Sequence, residues 1–204
     1  MQIHDMFTPR QRAVLDGLHG RDLDERRSGI RDGLSIRALA RPVAELLCLL
    51  VLQKRAERIV EFGTSHGYST IHLAAAAEIT GGHVHTVDMV SEKTALAAAN
   101  LESCGLRHRV TLATADGLAF ARGLPDGIEF VLVDYGAAAF APAFDHLHPR
   151  MAPGGLLFID GGPEGYWSSD DAGRGLRTRL EDDPEFLVST FPMHKEQLIA
   201  VRSG

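Results

Sequence analysis

The sequence predicts an α/β fold in one domain: a mostly parallel β-sheet with helices on both faces and an antiparallel finish. Three observations carry this expectation. Apolar, often β-branched segments alternate with helical stretches from about residue 57 onward. Two of those segments, Ile128-Glu129-Phe130-Val131-Leu132-Val133 and Leu156-Leu157-Phe158-Ile159, are mostly apolar on both faces, as expected of strands between two helix layers. The tail holds two strand-like runs, Phe186–Phe191 and Gln197–Val201, separated by a polar turn around Pro192 to Glu196, short enough for a hairpin. With 204 residues, 45% hydrophobic and 24% charged, the chain can fill one core.

Residues 1–56 read as a helical lead-in to a core over residues 57–204. Thr8 and Pro9 suit a helix N-cap and first helical position, and Gly33-Leu34-Ser35 breaks the lead-in into two or three helices. Arg21, Arg26, Arg27, Arg31 and Arg37 alternate with Asp22, Asp24, Glu25 and Asp32, the pattern of a solvated helix face. The apolar run Val43–Leu52 is interrupted by Glu45, ends at Gln53-Lys54-Arg55 and is too short to span a bilayer. Strands are then expected near 58–63, 83–88, 109–114, 128–134 and 155–160, with helices near 69–79, 91–104, 116–123 and 139–151. The stretch from Gly161 to Asp171 is rich in turn formers and holds the only Trp, so a lid is expected over 161–175.

Composition excludes some partners. A net charge of -6 and a pI near 5.9 provide no basic field for nucleic acid. The start, Met1-Gln2-Ile3-His4-Asp5, lacks a basic segment followed by an apolar one, so a cytoplasmic location is expected. Cys48 and Cys104 lie in apolar helical surroundings and are expected as reduced core thiols.

The functional signal is concentrated in Val60-Glu61-Phe62-Gly63-Thr64-Ser65-His66-Gly67-Tyr68-Ser69-Thr70, a strand joined to an alanine-rich helix through a glycine-bracketed turn. Gly63 and Gly67 permit positive φ or an approach that a Cβ would block. The spacing differs from the dehydrogenase G-x-G-x-x-G, since Ser65 stands at the middle glycine. Four carboxylates fall at strand ends, on the edge where parallel sheets bind cofactors: Asp88, Asp116, Asp134 and Asp160. Asp88, 25 residues after Gly63, suits a ribose diol. Asp116, in Thr114-Ala115-Asp116-Gly117, suits a purine amine, a helix N-cap, or both. Asp134 and Asp160 follow the most apolar strands and need a cationic partner.

The pattern V-E-F-G-T-x-x-G-Y-S, then T-V-D-M, L-V-D-Y and L-L-F-I-D-G, resembles class I S-adenosylmethionine-dependent methyltransferases, and within them the catechol O-methyltransferase-like group. The resemblance runs from about Ser35 to the chain end. It implies a Rossmann-like seven-stranded sheet whose last strand is antiparallel, a small-molecule methyl acceptor and a homodimer. It implies cofactor contacts from Glu61, Gly63, Thr64, Ser65, Gly67, Tyr68 and Ser69 around the methionine part, Asp88 at the ribose, Met89 at the adenine face and Asp116 at the adenine amine. Ala115, Gly117, Asp134 and Tyr135 complete that set.

Metal-dependent members of this group hold a divalent cation with an Asp after the fourth strand and an Asp-Asn pair after the fifth. Asp134 and Asp160 match the aspartates, but Gly161 replaces the Asn, and Tyr135-Gly136-Ala137-Ala138-Ala139 lacks the lysine often found there. The expectation is therefore O-methylation of a small hydroxylated molecule, phenols included, without the complete metal site, with Asp134, Asp160 and His66 as the catalytic set. A metal-dependent enzyme, a non-catalytic binding protein and a nicotinamide dehydrogenase are the alternatives. Tyr135, His194, Glu164 and Tyr166 are further candidate bases. Two histidine pairs, His83 with His85 and His146 with His148, lack a third ligand at a recognisable spacing.

Overall fold

The computed structural model describes residues 3–193 and 195–203. After a 3₁₀ turn at Ile3–Met6 come α1 (Pro9–Arg27) and α2 (Arg41–Lys54). The α/β core then runs β1 (Arg58–Phe62), α3 (Tyr68–Thr80), β2 (His83–Asp88), α4 (Ser91–Ser103), β3 (Val110–Thr114), α5 (Gly117–Arg122), β4 (Ile128–Val133), α6 (Ala137–Leu147) and β5 (Met151–Asp160). It closes with α7 (Tyr166–Ser169), α8 (Asp171–Glu181), β6 (Phe186–Pro192) and β7 (Glu196–Arg202).

The seven strands form one sheet in the order β3-β2-β1-β4-β5-β7-β6, and β7 runs antiparallel to both its neighbours. The second strand of the hairpin, not the first, joins the parallel core. Leu198 and Ala200 of β7 are fully buried, whereas Leu187 of the edge strand β6 is exposed. Strand order reverses between β1 and β4, so the crevice at their carboxyl ends is where this architecture receives a ligand.

Alternation along the strands divides the core into two layers. Ile59, Phe130, Leu132 and Phe158 pack with α2 and α3, while Val60, Phe62, Val131, Val133, Leu157 and Ile159 pack with α6 and α8. The Thr8 cap is confirmed as a capping box: its hydroxyl accepts from Gln11 N at 3.2 Å and Gln11 Oε1 accepts from Thr8 N at 2.9 Å. Such a cap is worth about 1 kcal/mol.

Three expectations change. The helix expected over 139–151 ends at Leu147, and the following strand starts at Met151 rather than near 155. Pro149 and Pro153 cannot continue a helical ladder, and Gly154 and Gly155 lie where the β4–β5 register slips, so the extra length of β5 is a bulged entry. Only the first part of the expected lid is loop and short helix, because residues from Asp171 onward belong to α8. The charged lead-in is not simply a solvated face: Asp22 is 3% exposed and holds Ala38 N and Arg26 Nε. Cys48 and Cys104 are free and buried, as expected.

Candidate functional site

The turn after β1 adopts the backbone its glycines allow. Gly63 has φ 108° and Gly67 φ 86°, and Ser65 between them takes φ 48°. A Cβ on Gly63 would stand 2.6 Å from the Asp134 carbonyl oxygen, so only glycine lets β1 and β4 close here. Ser65 N donates to Asp88 Oδ2 at 2.8 Å, and Val90 N donates to Asp88 Oδ1 at 3.0 Å. Asp88 is thus fixed in place with acceptor capacity left on each oxygen.

Glu61 lies beneath this turn, fully buried. Its Oε2 accepts from Thr70 Oγ1 at 2.5 Å and Thr86 Oγ1 at 2.6 Å, and Thr86 in turn meets Thr64 Oγ1 at 2.6 Å. Burial pushes the Glu61 carboxyl up, against the hydroxyls of Ser69, Thr70 and Thr86. The Ser69 hydroxyl is near, yet Glu61 Oε1 has no hydrogen-bond partner among the described residues.

Beside Asp88 opens an apolar slot of about 220 Å³ lined by Gly63, Val87, Met89, Val90, Gly117 and Tyr135. Met89, on the wall of this slot, is 72% exposed. Tyr135 stacks on Phe62 with ring centroids 5.8 Å apart, and a Cβ on Gly117 would collide with its hydroxyl. Asp116 caps α5, accepting from Ala119 N at 2.8 Å, with Ala115 N held by Asp88 O.

The other side of the site is built around two carboxylates at the ends of β4 and β5. Asp134 and Asp160 lie within hydrogen-bonding reach of one another. Asp160 Oδ2 accepts from Lys195 Nζ at 2.5 Å and Oδ1 from Gln197 Nε2 at 2.8 Å. Asp134 keeps some surface toward the cavity, but its carboxyl is crowded by protein. Burial, and then the charge of Asp160, raise it well above the usual carboxylate range, with Lys195 opposing. Lys195 comes from the hairpin turn, and both carboxylates favour its charged form against burial. Gly161 sits against the Trp167 indole: a Cβ there would lie 2.3 Å from Glu196 O and 2.8 Å from the ring. Trp167 Nε1 donates to that Glu196 oxygen at 2.9 Å, so the only Trp anchors the hairpin turn instead of facing a ligand. Tyr166 lines a smaller cavity with Asp134, Asp160 and Lys195.

A strap from the lead-in crosses the glycine turn. Ile36 O accepts from Ser65 Oγ at 2.7 Å, Leu34 O pairs with His66 Nε2 at 2.8 Å, and Ile36 N donates to Glu25 Oε2 at 2.8 Å. The strap and turn enclose a cavity of about 510 Å³ that reaches from Ser65 and Asp88 to Asp134 and Lys195, with Arg26, Arg31 and Arg37 along its wall.

Placement of the remaining candidates follows. His66 is 2% exposed and bound to the strap, and burial lowers its imidazole. Tyr68 turns into the helical layer, stacked near His19 and tilted against His72, and Ser69 is buried at the start of α3. Burial pushes the Tyr135 phenol up to about 12, far from a base at neutral pH. Glu164 is exposed, and His194 lies outside the described residues. His83 pairs with Thr111 and His148 with Glu185. No group of three or more metal-ligating side chains occurs among the described residues. Lys195 and Gln197 escaped the sequence reading. The only local signal was a lone lysine in the hairpin turn, far along the chain from both aspartates.

A doubly wound sheet with a reversal beside a glycine turn and a strand-end carboxylate is the frame of a nucleotide-cofactor-binding domain. The sequence profile of the methyltransferase domain family matches residues 60–161, half of the chain, and the protein belongs to that family. It is 40% identical over 106 residues to the protein-L-isoaspartate O-methyltransferase 1 of Anaeromyxobacter sp. (strain Fw109-5), covering 50% of this chain and 45% of that one. The chain spans about half the length of the curated relatives it matches. Among solved structures it superposes on the O-methyltransferase of Bacillus cereus, in complex with SAH, at a TM-score of 0.79 with 21% identity over 94% of this chain and 91% of that one. It matches the Streptomyces achromogenes O-methyltransferase TomG, in complex with SAM, at 0.75 with 23% identity over 92% and 89%. At such identities these likenesses establish the fold.

Proposed function

We propose that this protein transfers a methyl group from S-adenosylmethionine to a hydroxyl of a small molecule, phenols included, without a divalent metal. The observation that carries this reading is the cavity joining Ser65 and Asp88 to Asp134 and Lys195 beside the apolar slot of Met89. The residues fit the cofactor: an unpartnered buried oxygen on Glu61, spare acceptor capacity on Asp88 for a diol, and a slot of the right chemistry for a purine face. They do not fit a divalent ion, since an ammonium already neutralises Asp160 and the Trp167 indole fills the space a ligand at 161 would need.

When bound, S-adenosylmethionine supplies a methyl group already activated on a sulfonium, so the protein's main task is in-line placement. Asp88 would take the ribose hydroxyls, Met89, Gly117 and Tyr135 the adenine faces, and Asp116 the amine through the oxygen not used in the cap. Asp134 faces the cavity, and in its ionised form, with proton affinity raised by burial and Asp160, it would take the acceptor's hydroxyl proton as the new oxygen–carbon bond forms. Asp160 positions Lys195, and His66 leaves the catalytic set for the strap. A homodimer in the cytoplasm belongs to the same reading.

Calorimetry tests the cofactor: S-adenosylhomocysteine should bind and NAD should not, and tighter NAD binding would sink the reading. Incubation with S-adenosylmethionine and a panel of hydroxylated and amine acceptors should then release S-adenosylhomocysteine. Binding without turnover on any acceptor would leave a non-catalytic binding protein.

A further inference from the structure

We propose that the Lys195 ammonium is the resident cation of the acceptor site, standing where metal-dependent relatives hold a divalent ion and presenting its remaining N–H donors to the acceptor oxygen. The proposal rests on the reading of the cavity as a methyl-acceptor site. Its physical basis is the closure of that site by three elements far apart in sequence.

Two carboxylates within hydrogen-bonding reach at adjacent strand ends repel each other, which a shared proton relieves in part and a nearby positive charge relieves further. Lys195 supplies that charge from the β6–β7 turn. Both oxygens of Asp160 are engaged, one by Lys195 and the other by Gln197, whose own Oε1 accepts from Met193 N at 3.1 Å. A divalent ion would need short contacts to the same oxygens and would have to expel the ammonium first. The glycine at 161 belongs to the same device. Trp167 packs on it and bonds Glu196 O, the residue next to Lys195, and Glu196 N donates to Gly162 O at 2.9 Å. The feature that removes a metal ligand therefore also fixes the turn that carries the replacement charge.

The ammonium has three donors, of which Asp160 takes one. Its side chain is 40% exposed and borders both the main cavity and the smaller one beside Tyr166. An acceptor oxygen seated there would meet a fixed positive charge next to Asp134, which stabilises the negative charge left on that oxygen as its proton departs.

The deciding experiment is a manganese titration followed by electron paramagnetic resonance on wild type, Lys195→Met and Lys195→Arg. Wild type and Lys195→Arg should leave manganese free, whereas Lys195→Met, which keeps the chain length and removes the charge, should bind one ion at least about tenfold tighter. One ion bound equally by wild type would overturn the proposal, and so would a Lys195→Met protein that gains none. S-adenosylhomocysteine affinity within about threefold of wild type shows that the variant is folded. Failure of wild type to bind S-adenosylhomocysteine instead sinks the proposed function and is read separately. On whichever acceptor turns over, Lys195→Met should lose roughly 100-fold in kcat or more, the scale of lost help in removing the acceptor's proton, and Lys195→Arg should recover part of it. Undiminished kcat in Lys195→Met would refute the contact with the acceptor.

Discussion

The two ends of the cavity are built in opposite ways. At the cofactor end, Gly63, Ser65, Asp88, Met89 and Asp116 each lie at or just after a parallel strand, and Asp88 is held by backbone N–H groups of Ser65 and Val90. At the acceptor end, Asp134 and Asp160 also stand at strand ends, yet their partners Lys195 and Gln197 come from the hairpin, and Trp167 locks that hairpin from a third place. The first end follows from local sequence and the fold's handedness. The second exists only after distant segments have docked, so it is free to change its chemistry without disturbing the first.

The sharpest way to break this contrast is Asp88→Ala. Two hydrogen bonds to a charged group, each worth roughly 1.5–3 kcal/mol, should vanish, so S-adenosylhomocysteine affinity should fall by more than about 100-fold in calorimetry. Unchanged affinity would remove the ribose role and with it the local character of that end.

The helix that leaves the glycine turn can be probed through His72, buried on α3, with Nδ1 2.8 Å from Tyr68 O. Burial pushes its imidazole down to about 4. The unfolded chain, with an ordinary value near 6.5, takes up the proton first, so stability present above that pH is lost as pH falls toward 4. The loss amounts to about 3 kcal/mol at most. Glu61 and Asp134 work in the other direction, since raised carboxyls favour the folded state as pH falls. The difference in Tm between wild type and His72→Phe isolates the histidine: it should move in favour of the variant between pH 6.5 and 4.5.

At the acceptor end, Gly161→Asn restores the side chain that metal-dependent relatives carry. Overpacking against Trp167 and Glu196 should cost about 1–3 kcal/mol, seen as a lower urea midpoint, and should bring no response to magnesium. A stable, magnesium-activated variant would show that the two ends are less independent than the packing indicates. The smallest effect is expected from chelation of the wild type: turnover in excess EDTA should stay within about twofold. Loss of activity with return on added magnesium would overturn the resident-cation assignment.

Much of the molecule was legible in the chain. Period-two burial, capping residues and glycine turns are local, so the strands, most helices and the cofactor turn could be read directly. The errors fell where prolines and a bulge redrew a boundary, as at Met151, and where a charged run had a second job, as at Asp22. In the candidate site, Gly161 was legible as a departure but not as the seat of an indole. The type and position of His66 were legible, whereas its bond to Leu34 O of the strap was not.

By itself the sequence determined the α/β frame, the glycine turn after the first strand and the carboxylates at the strand ends, because backbone periodicity and turn chemistry act over a few residues. The tertiary structure alone decided which cation those carboxylates meet. Lys195 lies 35 residues from Asp160, and no periodicity links them. Their contact is set by β7 pairing antiparallel with β5, an outcome of burying Leu198 and Ala200 that brings a hairpin turn back to the edge where the acceptor end is formed.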